Sequence, residues 1–208
     1  MHGMDNVDRK HDMSISQQRP DQPSHAASPK EGGPSFSLRN RVTRLLWSWV
    51  WLIGASWTPA PLHPWRRMLL RAFGARMGHR ADVRGSARVW LPAHLVMADH
   101  ALIGPGVTVY NQGPISLGER ALVSQGAHLC AGTHDIEDED FTLLTRPIAI
   151  GAHAWIAAEA FIGPGARIGE GTVIGARAVA FGDMKPWTVY AGNPAKEVRA
   201  RRWRPAHR

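Results

Sequence analysis

Histidine is the side chain best suited to proton transfer near neutral pH, and this chain has eleven histidines but a single cysteine, Cys130. His134 stands apart by its surroundings. It lies between Gly132-Thr133 and the five carboxylates of Asp135–Asp140, within a stretch, THDIEDEDFTLLTRP (133–147), that breaks the periodicity on either side. A lone histidine in a loop is more often a plain surface residue, but an interruption of this kind is where function concentrates. Two other chemistries have candidates. His128, His134 and His153 would be the ligands of a zinc hydratase, yet 128 and 134 are six apart and the five-residue spacing expected for two such ligands is absent. Cys130 is the only thiol, and it occupies a position where the surrounding pattern favours small residues, so it reads as packing rather than as a nucleophile. One cysteine also excludes an intrachain disulfide and fits a reducing compartment.

The elements that position His134 are written in a repeat. Every sixth residue from Ile150 is aliphatic or small: Ile150, Ile156, Ile162, Ile168, Ile174, Ala180. An earlier register runs Leu117, Val123, Leu129, and further back lie Val83, Val89, Leu95 and, after a two-residue slip, Ile103 and Val109. The next residue is small in most steps, as at Gly118, Gly151, Gly163 and Gly169, which is read as letting the backbone bend at a corner. Period six is neither the 3.6 of a helix nor the 2 of a sheet strand. It describes a coil of triangular cross-section, three hexapeptides to a turn, stacked so that parallel strands bury a continuous aliphatic column. A βαβ sheet is excluded, since no crossover helix fits in six residues. Twenty-one residues separate Leu129 from Ile150 where three hexapeptides would take eighteen, so 133–147 is an extruded loop. Its carboxylates at 137–140 read as a solvated face.

The ends differ from this middle. Residues 1–36 are polar and rich in Pro, Ser, Asp and His, the composition of a disordered leader without the apolar core of a secretory signal. Residues 37–80 read as helical, with LLWSWVWLIGASW (45–57) apolar almost all round and a second helix from Trp65 to about Ala75. The first is too short for the roughly 20 residues of a spanning helix. The segment is a helical cap over one end of the core, an interfacial helix pair with Trp at headgroup depth and Arg66, Arg67, Arg71 and Arg76 on anionic lipid, or both together. Residues 81–184 form the solenoid and 185–208 a basic tail. The formal charge is +8. It is concentrated in the two end segments, which suits a membrane surface or an anionic ligand as well as it suits nucleic acid, and no nucleic-acid partner is expected.

IGPGARIGEGTVIGARAVAFGDMKPWTVYAGNPA (162–195), with AGNPAK (191–196) as its exit, resembles the closing coils of the hexapeptide-repeat acetyltransferases, whose fold is a left-handed parallel β-helix. WRRMLLRAFGARMG (65–78), VYNQGPISLGERALVSQGAHLCAGTHD (109–135) and PWTVYAGNPAK (186–196) look like the colanic-acid and exopolysaccharide members. The resemblance covers roughly 37–200. It implies a mainly β enzyme that moves acetyl from acetyl-CoA to a sugar hydroxyl, a poor nucleophile that needs a positioned base. It assigns that role to His134 of the T-H-D motif, with Asp135 orienting the ring or holding acceptor hydroxyls. Asn111 matches an acceptor-binding asparagine, or else serves as a turn brace. Ala158 and Ala176 match backbone contacts to the pantetheine arm, and Lys196 and Arg199 match phosphate-binding basic residues. Where relatives often have Thr-Lys, this chain has Phe181-Gly182, which removes one phosphate contact. Transfer is direct, with no acyl-enzyme and no metal. A homotrimer is implied, because such enzymes build each site between two subunits. The saccharide acceptor, free or lipid-linked, places the enzyme in the cytoplasm or against the inner face of its membrane. A small acceptor such as serine or a free sugar, and a non-catalytic solenoid, are the alternative readings.

Overall fold

The computed structural model describes residues 36–203, so the expected leader, apart from Phe36, lies outside the described residues. From Arg76 onward the chain winds through three flat walls of short parallel strands. Wall 1 contains Arg76–Met77, Leu95–Met97, Ile115–Leu117, Ile148–Ile150, Arg167–Ile168 and Asp183–Met184. Wall 2 contains Asp82–Val83, Leu102–Ile103, Leu122–Val123, Trp155–Ile156, Val173–Ile174 and Thr188–Ala191, closed by Lys196–Ala200. Wall 3 contains Arg88–Val89, Thr108–Tyr110, His128–Cys130, Phe161–Ile162 and Val179–Ala180.

Registered pairing turns the period of six into three vertical columns. Met77, Met97, Leu117, Ile150, Ile168 and Met184 face one another along wall 1. Val83, Ile103, Val123, Ile156, Ile174 and Tyr190 do so along wall 2. Val89, Val109, Leu129, Ile162 and Ala180 complete wall 3. A second buried position stands two residues before each column residue, mostly alanine: Ala101, Ala121 and Ala154 in wall 2, Ala127, Ala160 and Ala178 in wall 3. Wall 1 takes larger residues there, with Leu95, Ile115 and Ile148 buried beside Met97, Leu117 and Ile150.

Two features of the expected register are corrected. Leu95 is not a column residue: Met97 is, and Leu95 takes the inner position two residues before it. The two-residue slip therefore falls between Val89 and Met97, eight residues apart, where the 3-10 turn Pro92–His94 absorbs it. A second slip of the same size separates Val109 from Leu117. Where glycine follows a column position, it is needed for a different reason than bending. A Cβ at Gly169 would sit 2.5 Å from Pro186 N of the next coil. The left-handed corner conformation occurs two residues further on, and Arg80, His100, Arg120 and His153 adopt it at the corner between walls 1 and 2.

A solenoid leaves unpaired backbone groups at each end. At the first coil these are met by helices α1 (Leu38–Gly54) and α2 (His63–Ala72). Trp47 Nε1 donates to Val89 O at 2.7 Å, and Trp51 Nε1 to Ala87 O at 2.9 Å and Gly85 O at 3.0 Å. Arg66 is fully buried. Its Nε donates to Val83 O at 2.7 Å and its Nη2 pairs with Asp82 Oδ1 at 2.9 Å. Arg66, placed on anionic lipid by the interfacial reading, is thus a structural clamp, as a cap over the core would require. Pro64 lies in the first turn of α2, where its missing N–H costs nothing. At the far end the chain folds over the last strand of wall 3, with Val179 N donating to Gly192 O and Ala195 N to Val179 O.

Candidate active site

The stretch that breaks the repeat is an antiparallel hairpin, Gly132–His134 against Leu143–Thr145, leaving the corner between walls 3 and 1. His134 is the last paired residue, opposite Leu143. Its Nδ1 lies 2.7 Å from the carbonyl oxygen of Phe141. A carbonyl only accepts, so Nδ1 carries a proton, and in the neutral ring the lone pair is on Nε2, the form a general base requires. The Phe141 ring stacks on the imidazole, centroids 4.5 Å apart and planes 13° from parallel. Phe141 holds φ at +53°, a costly conformation for a bulky residue. Asp138 fixes it: its carbonyl accepts from Phe141 N, its Oδ1 from Asp140 N, and its Oδ2 from the Thr142 hydroxyl. Asp135 accepts from Glu137 N at 3.2 Å. Asp135 and Asp138 of the acidic run therefore brace the turn that carries His134, and the ring nitrogen is bonded to Phe141 rather than to Asp135.

The corner beneath the hairpin is braced by polar side chains. Asn111 is fully buried, its Oδ1 accepting from Leu91 N at 3.0 Å and its Nδ2 donating to Leu91 O at 2.7 Å. That geometry ties the second coil to the first across the slipped turn. Gln112 donates to the Tyr110 hydroxyl at 2.9 Å and lies against Gly132, where a Cβ would fall 1.8 Å from its Oε1. A close approach this tight requires the glycine that opens the hairpin.

Ala158 and Ala176 lie one above the other at the corner between walls 2 and 3, with Arg177 N donating to Ala158 O at 2.9 Å. Lys196 pairs with Ala191 and Arg199 with Val189 on the closing strand of wall 2, both exposed. Phe181 is half exposed, and its ring covers Gly163 on wall 3. The structure thus brings Ala158, Ala176 and Lys196 to one side of the solenoid. It places His134 on the opposite edge of wall 3. Within one chain the two groups do not meet. His128 lies on the outer face of wall 3 and His153 at the corner between walls 1 and 2, so with His134 on its hairpin the three do not converge as zinc ligands.

Sequence reasoning missed Phe141, Gln112 and Arg66. Phe141 acts through its carbonyl, and no residue-type signal marks that. Arg66 carried a signal in hindsight, being one of three nearby arginines on a helix that faces an acid, Asp82, sixteen residues on.

No family model matches the chain. The WcaF protein of Escherichia coli (strain K12), whose name assigns it to colanic acid biosynthesis as an acetyltransferase, is 38% identical over 166 residues, 80% of this chain and 91% of its own length. The chain belongs to the hexapeptide-repeat acetyltransferases. Two solved structures share the fold. The hexapeptide-repeat acetyltransferase of Vibrio cholerae, solved with acetyl-CoA, superposes with a TM-score of 0.72 at 21% identity, covering 82% of this chain and 93% of that one. The maltose O-acetyltransferase of Clostridium difficile gives 0.72 at 20% identity, over 80% and 90%. The left-handed parallel β-helix expected of a hexapeptide-repeat acetyltransferase is the fold of this one.

Proposed function

We propose that this enzyme transfers acetyl from acetyl-CoA to a saccharide hydroxyl in exopolysaccharide biosynthesis, with His134 as the general base. The observation that carries the reading is the 2.7 Å contact from His134 Nδ1 to the Phe141 carbonyl, which leaves Nε2 free to accept the hydroxyl proton. The deprotonating oxygen attacks the thioester carbonyl, and the collapsing tetrahedral adduct releases the coenzyme thiolate, which takes up the proton held on His134 Nε2 and restores the base. No acyl-enzyme is involved, since Cys130 Sγ is turned to its own chain, donating to Gly132 O at 3.3 Å. Asp135 is assigned to acceptor hydroxyls, because Phe141 takes the place of ring partner. Asn111, with its amide engaged by Leu91, holds the corner against which the acceptor rests.

Ala158, Ala176, Lys196 and Arg199 are assigned to acetyl-CoA, the alanines by backbone groups and the basic pair by charge on the phosphates. The separation of these residues from His134 by the width of wall 3 supports a homotrimer, in which the hairpin of one subunit completes the coenzyme edge of the next. A lipid-linked form of the acceptor, and peripheral contact with the inner face of the cytoplasmic membrane, belong to the same reading. Among the described residues no helix is long and apolar enough to cross a membrane.

The test is acetyl transfer from labelled acetyl-CoA to defined saccharides, free and lipid-linked, read by mass spectrometry. Acetylation of a sugar hydroxyl supports the proposal. Acetylation of serine in preference to every saccharide overturns it.

A further inference from the structure

Helix α1 is apolar on both of its sides. The inner stripe, Trp47 and Trp51, is buried on the first coil. On the opposite side Leu38, Val42, Leu45, Trp49, Leu52 and Ile53 are exposed, with Ile53 at 66% and Leu45 at 60%, and Trp57 follows at 70%. At 3.6 residues per turn, Leu38, Leu45, Trp49 and Leu52 fall in an arc of ~60° opposite Trp47. A continuous apolar strip of this kind on a 17-residue helix marks a contact surface.

Charge selects the occupant. From Ser37 to Arg80 there are eight arginines and no acid. Exposed Arg39 and Arg41 flank the strip on its two sides. Trp49, Trp57 and Trp65 add the amphipathic rings that favour headgroup depth, all three exposed. An apolar strip bordered by cations, with no carboxylate on the same segment, complements the surface of an anionic bilayer. It is poorly suited to a second copy of itself, which would bring like charges together.

We infer that α1 is a two-sided element: its inner stripe seals the solenoid and its outer strip lies in the headgroup region of an anionic leaflet. This deepens the proposed membrane contact by naming the surface that makes it. The binding requires neither His134 nor acetyl-CoA. It would hold the capped first-coil end of the solenoid against the membrane, where a lipid-linked acceptor is presented.

The test is co-sedimentation of the full chain with phosphatidylcholine vesicles, with and without phosphatidylglycerol. Binding is expected to the anionic vesicles and to weaken with salt. The triple change Trp49→Ser, Leu52→Ser, Ile53→Ser should lower it by about tenfold or more, with the helical signal and the soluble oligomer retained. Arg39→Glu with Arg41→Glu leaves the apolar strip intact and should weaken binding to the anionic vesicles alone. His134→Ala should bind as the wild type does, which separates this inference from the catalytic one. It is overturned if the wild-type chain ignores anionic vesicles, or if the arginine changes leave binding untouched. It is equally overturned if the serine changes dissociate a soluble oligomer, since the strip would then be covered by another copy.

Discussion

Coils built on Ile150, Ile156, Ile162, Ile168 and Ile174 follow the period of six without interruption, whereas the corner between walls 3 and 1 breaks it at Pro92–His94, at 111–114 and again at the hairpin. In the regular stack a residue's role follows from its register: column residues are buried, and their neighbours are small because the next coil is close. At the broken corner register says nothing, and each polar side chain has a particular partner. Asn111 holds Leu91, Gln112 covers Gly132, and Phe141 holds His134. The fold's stability therefore resides in the first region, and the proposed general base in the second.

The largest test of that division is Ile156→Ala. The side chain is fully buried in the wall 2 column between Val123 and Ile174. Its loss should cost about 2–5 kcal/mol of stability, measured by denaturant unfolding, with turnover per folded enzyme unchanged. A drop in turnover without a drop in stability would dissolve the comparison.

Changing Lys196 and Arg199 together to Ala should come next. Neither belongs to the buried columns, so stability should hold while the KM for acetyl-CoA rises, roughly tenfold or more for each lost charge-assisted contact. The KM for the acceptor should not move. An unchanged coenzyme KM would return both residues to the solvated end of the chain.

Asn111→Ala sharpens the comparison from the other side. Removing the amide leaves the buried N–H and carbonyl of Leu91 without partners, at about 1–3 kcal/mol. If Asn111 only braces the corner, kcat/KM at a temperature where the variant is folded should stay close to that of the wild type. A selective rise in the acceptor's KM would instead show that it touches the acceptor.

These expectations also mark what the sequence made legible. The isoleucines at 150 through 174 needed only counting, because solenoid burial repeats with the spacing itself. The hairpin announced itself as the failure of that count, and T-H-D and GNPAK by likeness to the family. What stayed hidden depends on contacts between distant residues or on the backbone. Trp47 reaches a carbonyl 42 residues on, and Arg66 one 17 residues on. The alanine positions before each column residue went unread because alanine gives weak periodic contrast, and the slip was misplaced because Leu95 looks as aliphatic as the residue that belongs in the column. The carbonyl of Phe141 has no sequence signature at all.

The smallest expected effect concerns His128, on the regular wall 3. Burial holds its pKa below the ordinary imidazole value, and its buried Nε2 has no hydrogen-bond partner. The folded state then binds fewer protons than the unfolded one, so stability is present above the unfolded pKa, roughly 6.5, and declines as pH falls through that region toward the folded value. His128→Gln should flatten this acid-side decline in Tm without lowering turnover at neutral pH. An unaltered slope would mean that other groups set it.

The division between a stack that holds the fold and a corner that carries the proposed base is tested most directly at His134. The imidazole lies on an extruded hairpin outside the aliphatic columns, so His134→Ala removes no core volume. The measurement is kcat with both substrates saturating, alongside Tm, oligomeric state and acetyl-CoA affinity on the same preparation. The account predicts a fall in kcat of about 10²–10⁴-fold with the other three quantities unchanged, and a comparable fall for His134→Asn. Near-wild-type turnover in His134→Ala would contradict it and place the base elsewhere.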